Sequence, residues 1–288
     1  MRLALGTAQF GMEYGIANHS GRVNDANAKA LLELALASAV DVLDTAIAYG
    51  ESETCLGNAG VASFRVITKL PALPTNCQNI IKWVHEQVDA SLDRLKINHL
   101  YGLLLHHSDD LLSVNGSELY KALQSVQDRG HVHKIGVSIY SPVHLNVLTE
   151  LYRLDLVQAP LNIFDQRLVS TGWLRRLKAL DVEVHTRSAF LQGLLLMGQQ
   201  SIPPYFSQWN AILTKWHQYL ERKNISSIAA CLGFPLSFKE VDLVVVGVDD
   251  KSQLLEILSY MDRSSSFDFS EFASNDEQLI NPSLWART

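Results

Sequence analysis

The chain has 288 residues, 47% hydrophobic and 19% charged, with a formal net charge of -6 and a pI near 5.9. That is enough to bury one large core, and the lack of any Lys/Arg-rich run excludes the basic face that nucleic acid or an anionic membrane requires. No apolar run approaches the ~18 residues of a membrane span, and Met1 is followed at once by the strand-like RLALGT, so no export, a cytoplasmic location and a small-molecule partner are expected.

In chain order, short apolar runs fall at 3–6, 40–43, 66–68, 101–105, 135–137, 156–157, 182–184 and 243–246. Helix-period segments such as AKALLELALASA, NIIKWVHEQVDASLDRL, ELYKALQSVQDR and SQLLEILSYM lie between them. Eight buried strands alternating with helices predict repeated βαβ units closing into an α/β fold, the (β/α)8 or TIM barrel. Residues 1–288 are expected to form a single barrel domain with a C-terminal extension from about 262. Gly130 stands where the preceding helix needs a C-terminal cap, and Asn79 or Thr75 is placed to start the helix after Lys69. The tail SSSFDFSEFASNDEQLINPSLW either packs against the cleft or trails. Cys55, Cys77 and Cys231 are too few and too scattered for a disulfide framework.

Residues just past the C-terminal ends of barrel strands converge on one mouth. Thr7, Asp44, Tyr49, Lys69, His106, Ser138, Gln158, Asn162, Arg187, Ser188 and Gly247 all fall there. His131 and His133, in GHVHK leading into a strand, fall at the opposite face, and with no third ligand nearby they read as a solvated loop; no metal is expected. Residues 44–53 read DTAIAYGESE, which sets a carboxylate at a strand end and a phenol five positions later in the following turn.

This DTAxxYGxSE pattern resembles the aldo-keto reductase family. RVITKL, 65–70, resembles the family's next strand and carries Lys69, while LLLHHSDDL, 103–111, resembles the one after and carries His106. The resemblance implies a catalytic tetrad of Asp44, Tyr49, Lys69 and His106. It also implies an NAD(P)H-dependent oxidoreductase that reduces an aldehyde or ketone to an alcohol by hydride transfer, with Tyr49 as proton donor.

The tetrad makes chemical sense. Hydride transfer to a carbonyl leaves negative charge on oxygen, so a proton donor must stand beside it. A phenol with a pKa near ~10 is a reluctant donor at neutral pH, and an ammonium at ~4 Å in an effective dielectric of ~20 would favour the phenolate by about 4 kcal/mol before desolvation. Lys69 is expected to act on Tyr49 in this way, with Asp44 keeping the ammonium charged and His106 orienting the carbonyl.

Neither GxGxxG nor GxxxxGK[ST] occurs, so no Rossmann or P-loop nucleotide site is indicated. The resembling family holds NAD(P)H across the barrel mouth without either. By that resemblance Gly6 and Thr7 of LGTAQFG, with Asp44, lie under the cofactor, and Ser138 of GVSIY reaches the carboxamide beside Gln158 of LVQAPLN, Asn162 shaping that wall. Arg187, Ser188, Phe190, Gln192 and Gly193 after strand seven, and Gly247, Asp249, Gln253 and Glu256 after strand eight, complete the cofactor set. Two segments depart from the family pattern. Arg187 stands where an aromatic usually stacks on the nicotinamide, and a planar guanidinium can stack there or pair with a phosphate. Asp249 and Asp250 stand where a basic residue often clamps a 2′-phosphate, although Lys251 is close enough in sequence to restore one. NADPH is the expectation from the resemblance, with NADH the alternative these carboxylates leave open.

Phe10, Tyr14, His107, Tyr140, Phe164 and Phe190 stand near the mouth, and Phe10, His107 and Tyr140 are taken as the substrate pocket. A polar His107 suits a hydroxylated carbonyl such as a sugar derivative. Two other readings stay open: a family-like binding or regulatory subunit with vestigial catalysis, and a metal-dependent barrel hydrolase or lyase using His106, His107, Asp109 and Asp110.

Overall fold

The computed structural model describes residues 1–18, 21–261 and 268–285. Eight strands, β1 Leu3–Gly6, β2 Val42–Asp44, β3 Arg65–Leu70, β4 Leu100–Leu105, β5 Val132–Ser138, β6 Leu156–Pro160, β7 Glu183–Arg187 and β8 Leu243–Gly247, close in sequence order into one barrel. All pairings are parallel, and β8 returns to β1 with Leu3 opposite Val244 and Gly6 opposite Gly247. This is the (β/α)8 barrel.

Period-two geometry decides which core each strand residue joins. Ala4, Val42, Ile67, Leu104, Leu156, Leu243 and Val245 fill the barrel interior. Their neighbours Leu3, Leu5, Leu43, Val66, Leu103, Leu105 and Val157 point outward into the larger core under the helices. Both faces are therefore apolar, which is why these strands read as short continuous runs.

Two strands depart from their apolar runs around a polar cluster. β5 starts at Val132 and β7 runs from Glu183 to Arg187, taking in polar residues at the base of the barrel. Glu183 accepts from Tyr101 Oη at 2.7 Å and from His185 Nε2 at 2.6 Å, and pairs with Lys134. Of the two helix starts considered after β3, Asn79 is the cap, its Oδ1 accepting Lys82 N–H at 2.9 Å. Gly130 has φ of +77° beyond the helix Gly116–Asp128, the left-handed ending a glycine accommodates without strain.

The start of the expected C-terminal extension, 262–267, lies outside the described residues. From Asp268 onward the tail packs. Ser274 N–H donates to Phe164 O at 2.8 Å, Gln166 Nε2 to Phe269 O at 2.7 Å, and Arg167 Nη1 to Glu277 at 2.8 Å. Phe272 sits edge-on to Trp216 and Tyr219. Among the described residues no helix is long and apolar enough to cross a membrane.

Candidate active site

The barrel brings the four tetrad positions together. β2 ends on Asp44, β3 carries Lys69 next to its last residue, and His106 follows β4 directly. Lys69 Nζ donates to Asp44 Oδ2 at 2.7 Å and to Thr45 O at 3.0 Å, with the two side chains only 1% and 6% exposed. The ammonium lies 5.1 Å from the Tyr49 ring centroid, and the His106 ring meets Tyr49 edge-on at 5.6 Å.

The turn that presents Tyr49 is locked by backbone contact. A Cβ on Gly11 would lie 1.7 Å from Tyr49 O, and one on Gly50 would lie 2.6 Å from Gly11 O, so these two segments meet at a distance only glycine allows. The rest of the motif is structural. Ser52 Oγ donates to Thr7 O at 2.8 Å, and buried Glu53 accepts from Thr68, Ser91 and Arg94. Thr7 in turn donates its N–H and Oγ1 to Asp44 O.

One contact was not legible in the sequence. Gln158 Nε2 donates to Asp44 Oδ1 at 2.7 Å, so each carboxylate oxygen has its own donor. Ser138 Oγ donates to Gln158 Oε1 at 3.3 Å. Both residues are buried and bonded into the tetrad rather than placed on the cavity wall.

The electrostatics differ from the expected ones at Tyr49. Burial, and then the Asp44 charge, push its phenol well above the ordinary value, and the opposing pull comes from Arg187. Lys69 engages Asp44 and Thr45 O instead, and burial outweighs Asp44 in lowering its own value. Tyr49 is thus held as a protonated phenol. His106 is pushed down to about 3 by burial, then by Lys69 and Arg187, and stands neutral as a hydrogen-bonding imidazole.

Beside these groups lies a cavity of about 370 Å³. Of the residues expected to hold a cofactor, Gly6, Thr7, Asp44, Arg187, Ser188, Phe190, Gln192, Gly193, Gly247, Asp249, Gln253 and Glu256 line it, together with Tyr49. The loop after β7 has Ser188, Leu191 and Gln192 at positive φ, strained backbone of the kind that collects at ligand sites. Tyr14, Gly15, Ala17 and Asn18 form part of the wall too, and a Cβ on Gly193 would meet Ala17 Cβ at 2.4 Å. At the far end Asn18 Nδ2 and Gln253 Nε2 donate to the Asp249 carboxylate at 3.3 and 3.4 Å. Burial raises the Asp249 carboxyl, with Gln253 opposing it.

The substrate positions divide. Tyr140 and His107 are at the surface of the mouth, the His107 ring 5.9 Å from His106. Phe10 is instead a core residue with no exposure, because the short helix Ala8–Gly11 turns its ring inward; it is not a pocket residue. Asn162 is likewise buried, its Oδ1 accepting from Phe164 and Asp165 N–H in a turn. Described tail residues do not line the cavity. Asp109 pairs with His144 at 2.9 Å and Asp110 accepts Leu73 N–H, which draws both away from His106; no group of three or more potential ligands able to hold a metal occurs among the described residues.

Comparison with known proteins agrees with this geometry. The aldo/keto reductase family model matches residues 2–279. A curated relative, the aldo-keto reductase YhdN of Bacillus subtilis (strain 168), is 25% identical over 148 residues, covering 48% of this chain and 44% of that protein, so the match spans less than half of the relative. The glycerol dehydrogenase AKR11B4 from Gluconobacter oxydans superposes with a TM-score of 0.73 at 23% identity, over 94% of this chain and 89% of that one. The holo form of the aldo-keto reductase AKR11C1 from Bacillus halodurans gives 0.75 at 18%, again over 94% and 89%. At these identities the two structures speak for the fold, while the family match over residues 2–279 speaks for descent. The chain belongs to the aldo-keto reductase family of oxidoreductases.

Proposed function

We propose that this protein reduces an aldehyde or ketone to an alcohol with a nicotinamide cofactor, Tyr49 delivering the proton. The observation that carries this reading is the buried Lys69–Asp44 pair beneath Tyr49, which lines the cavity, with His106 edge-on to the same phenol. A buried ion pair is expensive to maintain and is weak evidence for stability, which makes its placement under a phenol at a barrel mouth informative.

The bound nicotinamide would supply the hydride. Thr7, Asp44, Ser188, Gln192 and Gly193 would hold it at the Tyr49 end of the cavity, with Gly247, Gln253 and Glu256 at the other. Neutral His106 donates a hydrogen bond that orients the carbonyl oxygen and leaves the proton transfer to Tyr49. A phenol above its ordinary value is still a much stronger acid than an alcohol, so transfer to a nascent alkoxide runs downhill. Asp44, held by both Lys69 and Gln158, fixes the ammonium below the ring.

The nucleotide itself is a finer matter. The resemblance favours NADPH, but Asp249 and Glu256 line the far end and Lys251 does not line the cavity. Carboxylates accept hydrogen bonds from a ribose diol and repel a 2′-phosphate, so NADH is the better fit to this wall. Polar groups at the mouth, His107 and Tyr140, suit a hydroxylated carbonyl compound.

Fluorescence titration of NADH and NADPH against wild type and Tyr49→Phe tests the reading. Both proteins should bind NADH with similar Kd, tighter than NADPH, and only wild type should oxidise it with a panel of aldehydes and ketones, the variant losing about 100- to 10,000-fold. Binding of neither nucleotide, or full activity in Tyr49→Phe, would sink it.

A further inference from the structure

Arg187 ends β7 at the rim of the cavity, half-buried, and lines the same wall as Asp44 and Tyr49. Its position is fixed from three sides. Nη2 donates to Ile139 O at 3.1 Å, Nη1 to Ser188 Oγ at 3.2 Å, and the guanidinium lies 4.6 Å from the Tyr140 ring centroid. Tyr140 is itself pinned, its carbonyl accepting from Arg167 Nη2 at 2.9 Å, and Arg167 is held by Asp165 and Glu277.

What sets Arg187 apart is its charge balance. Lys69 is neutralised by Asp44, and Arg167 has two carboxylates, whereas Arg187 takes part in no ion pair among the described residues. Its two hydrogen bonds use neutral oxygens, so the fork keeps donors for a planar anion. A half-buried cation without a counter-ion favours whatever anion enters beside it. His106 and Tyr49 both feel its charge, which puts it within electrostatic reach of the reacting carbonyl.

We propose that Arg187 is a specificity-determining residue that binds an anionic group, carboxylate or phosphate ester, carried by the carbonyl substrate itself. This rests on the reductase reading and narrows its substrate class to acidic carbonyl compounds.

The test uses matched pairs, D-glucuronate with D-glucose and glyceraldehyde 3-phosphate with glyceraldehyde. Their Kd values are measured by protein fluorescence on the complex with the oxidised nucleotide, where no carbonyl is turned over. In wild type the anionic member of at least one pair should bind tighter by roughly 10- to 150-fold, the range of one charge-assisted hydrogen bond. Arg187→Met should bring that ratio close to one, and Arg187→Lys, which keeps the charge but loses the fork, should retain part of it.

Ratios near one in wild type for both pairs, or a ratio unchanged in Arg187→Met, overturn the proposal alone. If Arg187→Met instead weakens nucleotide binding as much as anion binding, the guanidinium holds a cofactor phosphate and the proposal falls. Failure of both nucleotides to bind wild type overturns the reductase reading and this inference with it.

Discussion

Removing one member of the Lys69–Asp44 pair should cost far more than removing both. The side chains are 1% and 6% exposed, and the 2.7 Å contact is the only ion pair either makes among the described residues. In Asp44→Ala the ammonium keeps only Thr45 O at 3.0 Å, and in Lys69→Met the carboxylate keeps only Gln158 Nε2 at 2.7 Å. Each single change strands a buried charge, a loss of about 3–5 kcal/mol, or roughly 6–20 °C in Tm for a chain of this size. The double variant has no charge to strand, so its loss should fall short of the sum of the singles by about 1–3 kcal/mol. Urea unfolding of the four proteins at pH 7 gives the cycle directly. Single losses under about 1 kcal/mol, or additivity within about 0.5 kcal/mol, would refute the reasoning, since both would mean that water reaches the pair.

Other expectations follow from the same site. Gly11→Ala should lower kcat/KM by about 100-fold by pushing the Tyr49 turn outward, while Gly198→Ala, where a Cβ meets nothing within 4 Å, should change neither activity nor Tm measurably. His106 sits at about 3, so kcat/KM should show no His106 ionisation between pH 5 and 8. Its folded value lies below the unfolded one near ~6.5, so the stability it contributes is complete above that pH and is lost as pH falls toward 3; denaturant titrations of His106→Asn should be flatter over that window. Burial alone would raise the Glu183 carboxyl, but hydrogen bonds from His185, Lys134 and Tyr101 outweigh it and hold the group at about 2. That stability is present above the ordinary carboxylate value and lost as pH falls through 2, so Glu183→Gln should remove part of the acid-induced loss seen by circular dichroism.

The barrel was legible because parallel strands buried on both faces must be apolar along their length, as 101–105 and 243–246 are. It was blurred where barrel-base polar residues interrupt that signal, as His133 and Lys134 do in β5 and Glu183 in β7. The grouping of Asp44, Tyr49, Lys69 and His106 was readable for a different reason: three of them lie at or next to the ends of successive strands and Tyr49 in the turn after the first, so local spacing reports spatial neighbourhood. Gln158 was named from the sequence, but its bond to Asp44 escaped because the two residues are 114 positions apart and only barrel closure brings β6 across to β2. Phe10 misled because the sequence does not say which way a four-residue helix turns its ring. The acidity of Tyr49 differed from expectation because the sequence does not show that the Lys69 ammonium is engaged by Asp44 and Thr45 O and lies 5.1 Å from the ring centroid.

The distribution of charge along the cavity joins these points. At the Tyr49 end the Lys69–Asp44 pair cancels and Arg187 leaves a net positive field, while at the other end Asp249 and Glu256 make the wall negative. A dinucleotide with a free ribose diol would meet accepting groups at the far end, whereas a 2′-phosphate would face carboxylates. A substrate anion would be drawn toward Arg187 and repelled from the far end, so the same asymmetry that would favour NADH would also orient the carbonyl compound. The Arg187 charge has a second effect on the chemistry. The negative charge that hydride transfer would place on the carbonyl oxygen, and that would pass to Tyr49 as the phenol gives up its proton, develops near that guanidinium, so a bound substrate carboxylate would partly neutralise the field that helps it form. Acidic substrates should therefore gain more in KM than in kcat, and a neutral analogue, though bound weakly, should turn over at least as fast once it is seated.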